Sequence, residues 1–181
     1  NNINNNQNKL IILDIGGADG LQNRWKVFEK YISPIFVEPD ERSYLELKNK
    51  GFDVITTALW SEQTKKNLYL TKKLHTSSLY LPNKKYLDLF PDSSRYEIKD
   101  KLLINVSTID DEIDISQQPH FIKIDIQGAE LEVLKGGENI LKNVLALEVE
   151  INFKEIYENI PLYSDVEKFL KDRGFVLNDF L

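Results

Sequence analysis

Asp14, Gly16, Ala18 and Gly20 recur at every second position where the apolar run Leu10 to Leu13 ends, inside KLIILDIGGADG. A run of that length reads as a buried strand, and the glycines break it into a sharp turn. The helical pattern that follows, Leu21 to Ile32, completes the first half of a nucleotide-binding α/β unit. A dinucleotide fingerprint needs glycine at positions 16, 18 and 21, where this chain has Gly16, Ala18 and Leu21. The phosphate-cradling GK[ST] sequence is absent as well. The plain structural alternative is a tight strand–helix turn with no ligand.

Glu38 closes the next short apolar run. A carboxylate there accepts hydrogen bonds from both hydroxyls of a ribose and repels a phosphorylated one, which points to unphosphorylated adenosine. Ala58 and Leu59, a small residue followed by an apolar one, suit an adenine slot or simply the core. Further along, Asp125, Glu148 and Glu150 fall late in apolar runs, where carboxylates are costly unless used or paired. Glu148 and Glu150 can bind acceptor hydroxyls, pair with lysines, join Asp125 around a divalent ion, or sit solvated at a strand end. No metal ligand set is assigned. His75 is a candidate base in a loop and equally an ordinary surface histidine.

The elements that must position these residues alternate. Asn1 to Asn8 is a polar tail. Leu21 to Ile32 is read as a helix stopped by Ser33-Pro34, and Ile35 to Val37 as a second strand. Asp40 caps a helix that Gly51 ends, and Phe52 to Trp60 is a third strand with its exit turn. An insertion spans residues 62–106. In it, Asn67 to Leu70 is one hairpin arm, His75 to Tyr96 an ordered loop with Pro82 and Pro91, and Lys101 to Val106 a strand. An acidic turn, Asp110 to Asp114, follows. Then come a strand at Phe121 to Ile126, a helix at Glu130 to Asn143, a strand at Val144 to Ile151, a helix at Ser164 to Arg173, and a last strand starting at Phe175. Right-handed β–α crossovers make this a doubly wound, mostly parallel sheet, with residues 9–181 as a single domain. A (β/α)8 barrel typically needs about 250 residues, more than this chain has.

The net charge of -6 offers no basic field for nucleic acid. No cysteine occurs, which fits a reducing, cytoplasmic setting. No apolar run has the length of a membrane span. The absence of methionine, even at position 1, points to a trimmed chain.

The blocks DIGGADG (14–20), FVEPD (36–40), TALWSE (57–62), TSSLYLPN (76–83), STIDDEI (107–113), KIDIQGAELEVLKGG (123–137), LEVEINF (147–153) and PLYSDVEKFL (161–170) together resemble the FkbM family of S-adenosylmethionine-dependent methyltransferases. They follow the family's order and cover most of residues 9–181, and KIDIQGAE is the most diagnostic. The resemblance implies a Rossmann-like fold of the seven-stranded type, its last strand missing here. The implied activity is methyl transfer to a hydroxyl, often of a sugar or natural product. It implies a cofactor site of Asp14, Gly16, Gly17, Ala18, Gly20, Glu38, Ala58, Leu59 and Asp125, with Asp14 near the cofactor ammonium. Asp125 becomes the leading candidate to orient or deprotonate the acceptor, with Glu150, Glu148 and His75 behind it; a turn-capping role for Asp125 is the alternative. Two departures stand out: Asp19 replaces a common Asn, and Gln127 replaces a frequent Glu, so position 127 has no acid–base role. Ser77, Ser78, Tyr80 and Asn83 of the insertion are expected over the carboxyl edge, facing a polyhydroxylated acceptor. An exposed sheet edge leaves room for a second copy. An NAD-dependent oxidoreductase and a non-catalytic adenosine-binding domain are the competing readings.

Overall fold

The computed structural model describes residues 9–180. The polar tail expected over Asn1 to Asn8 lies outside them. The strands are β1 (Leu10–Ile15), β2 (Ile32–Val37), β3 (Asp53–Ile55), β4 (Ala58–Leu59), β5 (Thr64–Thr71), β6 (Ile98–Ser107), β7 (Phe121–Ile124) and β8 (Ala146–Val149). The helices are α1 (Asn23–Lys26), α2 (Glu41–Asn49), α3 (Lys84–Leu87), α4 (Ile109–Glu112), α5 (Glu130–Lys135), α6 (Glu138–Leu141) and α7 (Tyr163–Lys171).

Five strands make one parallel sheet in the order β3-β2-β1-β7-β8. The chain winds outward from β1 to β3, then returns to the other side of β1 as β7. This reversal opens a crevice at the carboxyl ends of β1 and β7, where open α/β sheets bind ligands. The arrangement is the Rossmann-like α/β fold expected from the sequence. The strands read as near-continuous apolar runs because both faces are covered: Leu13, Ile15, Ile35, Val37, Ile122 and Ile124 share one core with Val133, Leu134, Ile140 and Val166 on one face, and Ile12 and Phe36 are buried on the other.

Several expected elements differ. The helical stretch from Leu21 shrinks to α1 and a 3-10 turn, and β2 begins at Ile32, so Pro34 lies inside a strand rather than stopping a helix. Proline is tolerated there because β3 pairs with β2 only from Ile35 onward. Phe52 to Trp60 is not one strand. It divides into β3 in the main sheet and β4, which pairs with β6 in a second sheet ordered β4-β6-β5.

The helix expected over Glu130 to Asn143 breaks at Gly136-Gly137. A Cβ on Gly136 would lie 2.2 Å from the Trp60 carbonyl oxygen, so the break lets the backbone pack against β4's exit. After α7, Phe175 to Phe180 is irregular rather than a strand. Asp40 does cap α2, its carboxylate accepting from the Arg42 N–H at 3.0 Å, and Gly51 follows with φ +84°.

Candidate active site

The carboxyl edge of the sheet carries one residue just past each of four strands, and each is locked to its neighbour by a backbone hydrogen bond. Gly16 N–H donates to the Val37 carbonyl (3.0 Å), Glu38 to Ile55 (3.0 Å), Asp125 to Ile15 (3.0 Å) and Glu150 to Ile124 (2.8 Å). The parallel ladder therefore sets the glycine turn and three carboxylates in a single row. Gly16 has φ +85°, and a Cβ on it would meet the Asp125 carbonyl oxygen at 2.0 Å. Only glycine lets the first turn approach the end of β7 this closely.

Above the row lies a cavity of about 760 Å3. Its lining includes Asp14, Gly16, Gly17, Ala18, Gly20, Glu38, Ala58, Leu59, His75, Asp125 and Glu150, so every catalytic and cofactor candidate except Glu148 shares one space. Glu148 instead pairs with the Arg24 guanidinium on the side of the sheet.

Glu38 is buried, and its Oε1 accepts from the Asp40 N–H at 2.8 Å. A carboxylate offers about four lone-pair sites, which leaves capacity for a pair of hydroxyls. Burial raises its pKa above the ordinary value, with the Asp40 N–H opposing. Asp14 is also buried, and its Oδ1 lies 3.0 Å from Lys123 Nζ, the two being direct neighbours in the β1–β7 register. Desolvation lifts the Asp14 pKa more than Lys123 lowers it.

The sequence alone assigns Lys123 no role. The signal was present: a lysine inside the apolar run FIKI has to find a partner.

At the other end of the cavity, burial and the Asp125 and Glu130 charges push Glu150 up to about 8. Gln127 Nε2 lies 3.1 Å from Glu150 Oε2 and 3.3 Å from Asp125 Oδ1.

The Methyltransferase FkbM domain model matches residues 14–177, nearly the whole described chain. The chain belongs to this family. Comparisons with curated proteins and with solved structures found no match.

Within the FkbM domain, the insertion brings Ser77 and Ser78 to the cavity wall but engages their hydroxyls with backbone, and it keeps Tyr80 and Asn83 out of the lining. Ser78 is buried; its Oγ donates to the Gln127 carbonyl at 2.6 Å and accepts from the Tyr80 N–H at 3.0 Å. Ser77 Oγ accepts from the Thr71 N–H, although Ser77 does line the cavity. Asn83 caps α3 and donates to the Glu155 carbonyl, and Tyr80 packs on Trp60 at 5.6 Å; neither lines the cavity. These residues build the FkbM domain's wall.

Among the described residues, no cluster of three or more potential metal ligands occurs. No helix among them is long and apolar enough to cross a membrane.

Proposed function

We propose that this methyltransferase uses S-adenosylmethionine and methylates a hydroxyl oxygen of a sugar or natural-product acceptor. The observation that carries the choice of cofactor is the charge of the cavity. Its lining holds seven acidic side chains (Asp14, Asp19, Glu38, Asp40, Glu41, Asp125 and Glu150, the last charged only toward pH 8) against one lysine, Lys123, which is paired with Asp14. Such a wall suits a ligand bearing a sulfonium and an ammonium and repels a pyrophosphate, so it disfavours a dinucleotide. Glu38 would take the ribose hydroxyls, Ala58 and Leu59 the adenine, and the turn from Asp14 to Gly20 the amino-acid end.

S-adenosylmethionine supplies a methyl group already activated on sulfur. The protein's share is alignment and the proton. Asp125 and Glu150 stand together past the ends of β7 and β8, where they orient the acceptor hydroxyl. As the acceptor oxygen is methylated, the Glu150 carboxylate would take the hydroxyl proton, balancing the positive charge that the sulfonium loses.

Calorimetry with S-adenosylmethionine, S-adenosylhomocysteine and NAD tests the cofactor. Binding of the first two but not NAD is expected, and the reverse order overturns the reading. Incubating glycan and natural-product hydroxyl acceptors with methyl-labelled cofactor tests turnover by mass shift. Tight cofactor binding with no labelled acceptor would favour a non-catalytic adenosine-binding domain.

A further inference from the structure

Gln127 sits in the left-handed region, φ 63°, a conformation few residues other than glycine adopt. The turn around it is over-determined. Its carbonyl accepts from Ser78 Oγ, and the N–H groups of Ile126 and Gly128 on either side both donate to Glu130 Oε1 at 3.1 Å. Glu130 is itself buried, so these bonds are made in a dry setting. This scaffold aims the Gln127 side chain at the site.

The Gln127 amide then has one partner on its oxygen and two on its nitrogen. Tyr157, fully buried, places its hydroxyl 2.9 Å from the Thr76 carbonyl and 3.2 Å from Gln127 Oε1. The single Tyr157 O–H is shared between these two acceptors, and the carboxylates, which as anions only accept, turn the amide NH2 toward themselves, with one N–H available for Asp125 and one for Glu150.

We propose that Gln127 and Tyr157 are positioning residues whose bridging amide holds the Asp125 and Glu150 side chains together and sets the pH at which Glu150 ionises. The inference rests on the methyl-transfer reading for its purpose, though not for its geometry.

The groups facing Glu150 are Asp125 from the end of β7, Glu130 from α5, Gln127 from the turn and Tyr157 from beyond β8. Behind Asp125 stand Lys123, whose Nζ is 4.0 Å from Asp125 Oδ2, and Asp14; behind Tyr157 stand Tyr96 and Arg95. Two nearby carboxylates and burial favour the protonated acid, while the amide donors favour the ionised one. The amide thus lowers the pH at which Glu150 gives up its proton. A glutamate at position 127 would add a third carboxylate and work the other way.

The test is carboxyl-carbon NMR of glutamate-labelled protein titrated from pH 5 to 10, with the Glu150 resonance assigned by its loss in Glu150→Gln. Wild type is expected to titrate near pH 8. Gln127→Met, similar in size but without donors, should raise that midpoint by about one pH unit. Tyr157→Phe, which keeps the ring and its packing, should raise it by less. An unchanged midpoint in Gln127→Met overturns the proposal. So does a Tyr157→Phe variant that lowers the melting temperature and leaves the midpoint in place, since that is what a packing role alone would give. The titration needs neither cofactor nor acceptor. Failure to bind S-adenosylhomocysteine in calorimetry would therefore sink the methyl-transfer reading while leaving the proton measurement interpretable.

Discussion

Lys123 and Asp14 lie opposite one another on adjacent parallel strands, their charged atoms 3.0 Å apart and both side chains about nineteen-twentieths buried. The pair joins the first turn to the strand that carries Asp125, across the crevice where the sheet reverses. Breaking it from the lysine side leaves a carboxylate alone in a dry site. Lys123→Met should cost about 3–5 kcal/mol at neutral pH, read by urea unfolding. The loss should shrink toward pH 5, because the orphaned Asp14, already raised by burial, protonates more readily still. A pH-independent loss would contradict this account.

Glu38→Gln removes the charge but keeps an oxygen for the Asp40 N–H. Affinity for S-adenosylhomocysteine should fall about tenfold to a hundredfold, as expected for hydrogen bonds to a charged group. The melting temperature of the unliganded protein should hardly move. Calorimetry and thermal melts on the same sample separate the two effects.

Methyl transfer should rise with pH, with its half-point near 8, because the base works only when ionised and Glu150 is held up to about 8. Stability moves in the opposite direction. A carboxyl whose folded pKa exceeds its unfolded value contributes fully below about pH 4.5, and that contribution is lost as pH rises through 8. Glu150→Gln should therefore melt above wild type at pH 9 and lose this advantage toward pH 4. A rate that falls between pH 7 and 9 would remove Glu150 from the role of base.

Ser78→Ala should lower the rate and the melting temperature rather than raise the KM of the acceptor, since the hydroxyl supports the Gln127 carbonyl and is almost fully buried. A KM effect alone would return Ser78 to the acceptor-binding role its sequence position first suggested.

Gly136→Ala should destabilise by at least about 2 kcal/mol, as overpacking against a backbone oxygen does. Chemical denaturation checks it, and a neutral result would mean the Trp60 carbonyl yields freely.

The site row was legible because its spacing is local: Gly16, Glu38, Asp125 and Glu150 each follow an apolar run, and parallel pairing brings run-ends level. What escaped depended on partners distant in sequence. Nothing in Phe52 to Trp60 shows that its second half leaves the main sheet for β6, since a short apolar stretch is compatible with either sheet. The apolar positions of Glu130 to Asn143 keep helical period through Gly136-Gly137, and only the approach of Trp60 explains the break. Lys123 and Tyr157 were missed for the same reason, one needing Asp14 across a strand and the other needing Gln127 across a turn. Ser77, Ser78 and Asn83 have the chemistry of ligand-binding residues, and the fold uses it mainly on its own backbone.

The register between β1 and β7 also governs how the chain assembles. Asp14 and its neighbours meet Lys123 only after more than a hundred intervening residues, including the whole β5–β6 ribbon, have been made. At ribosomal speeds of about 5–20 residues per second, β1 waits several seconds with that flank bare. The antiparallel β5–β6 pair closes a shorter loop and has no need of β1. The ribbon is thus free to form before the crevice between β1 and β7 exists.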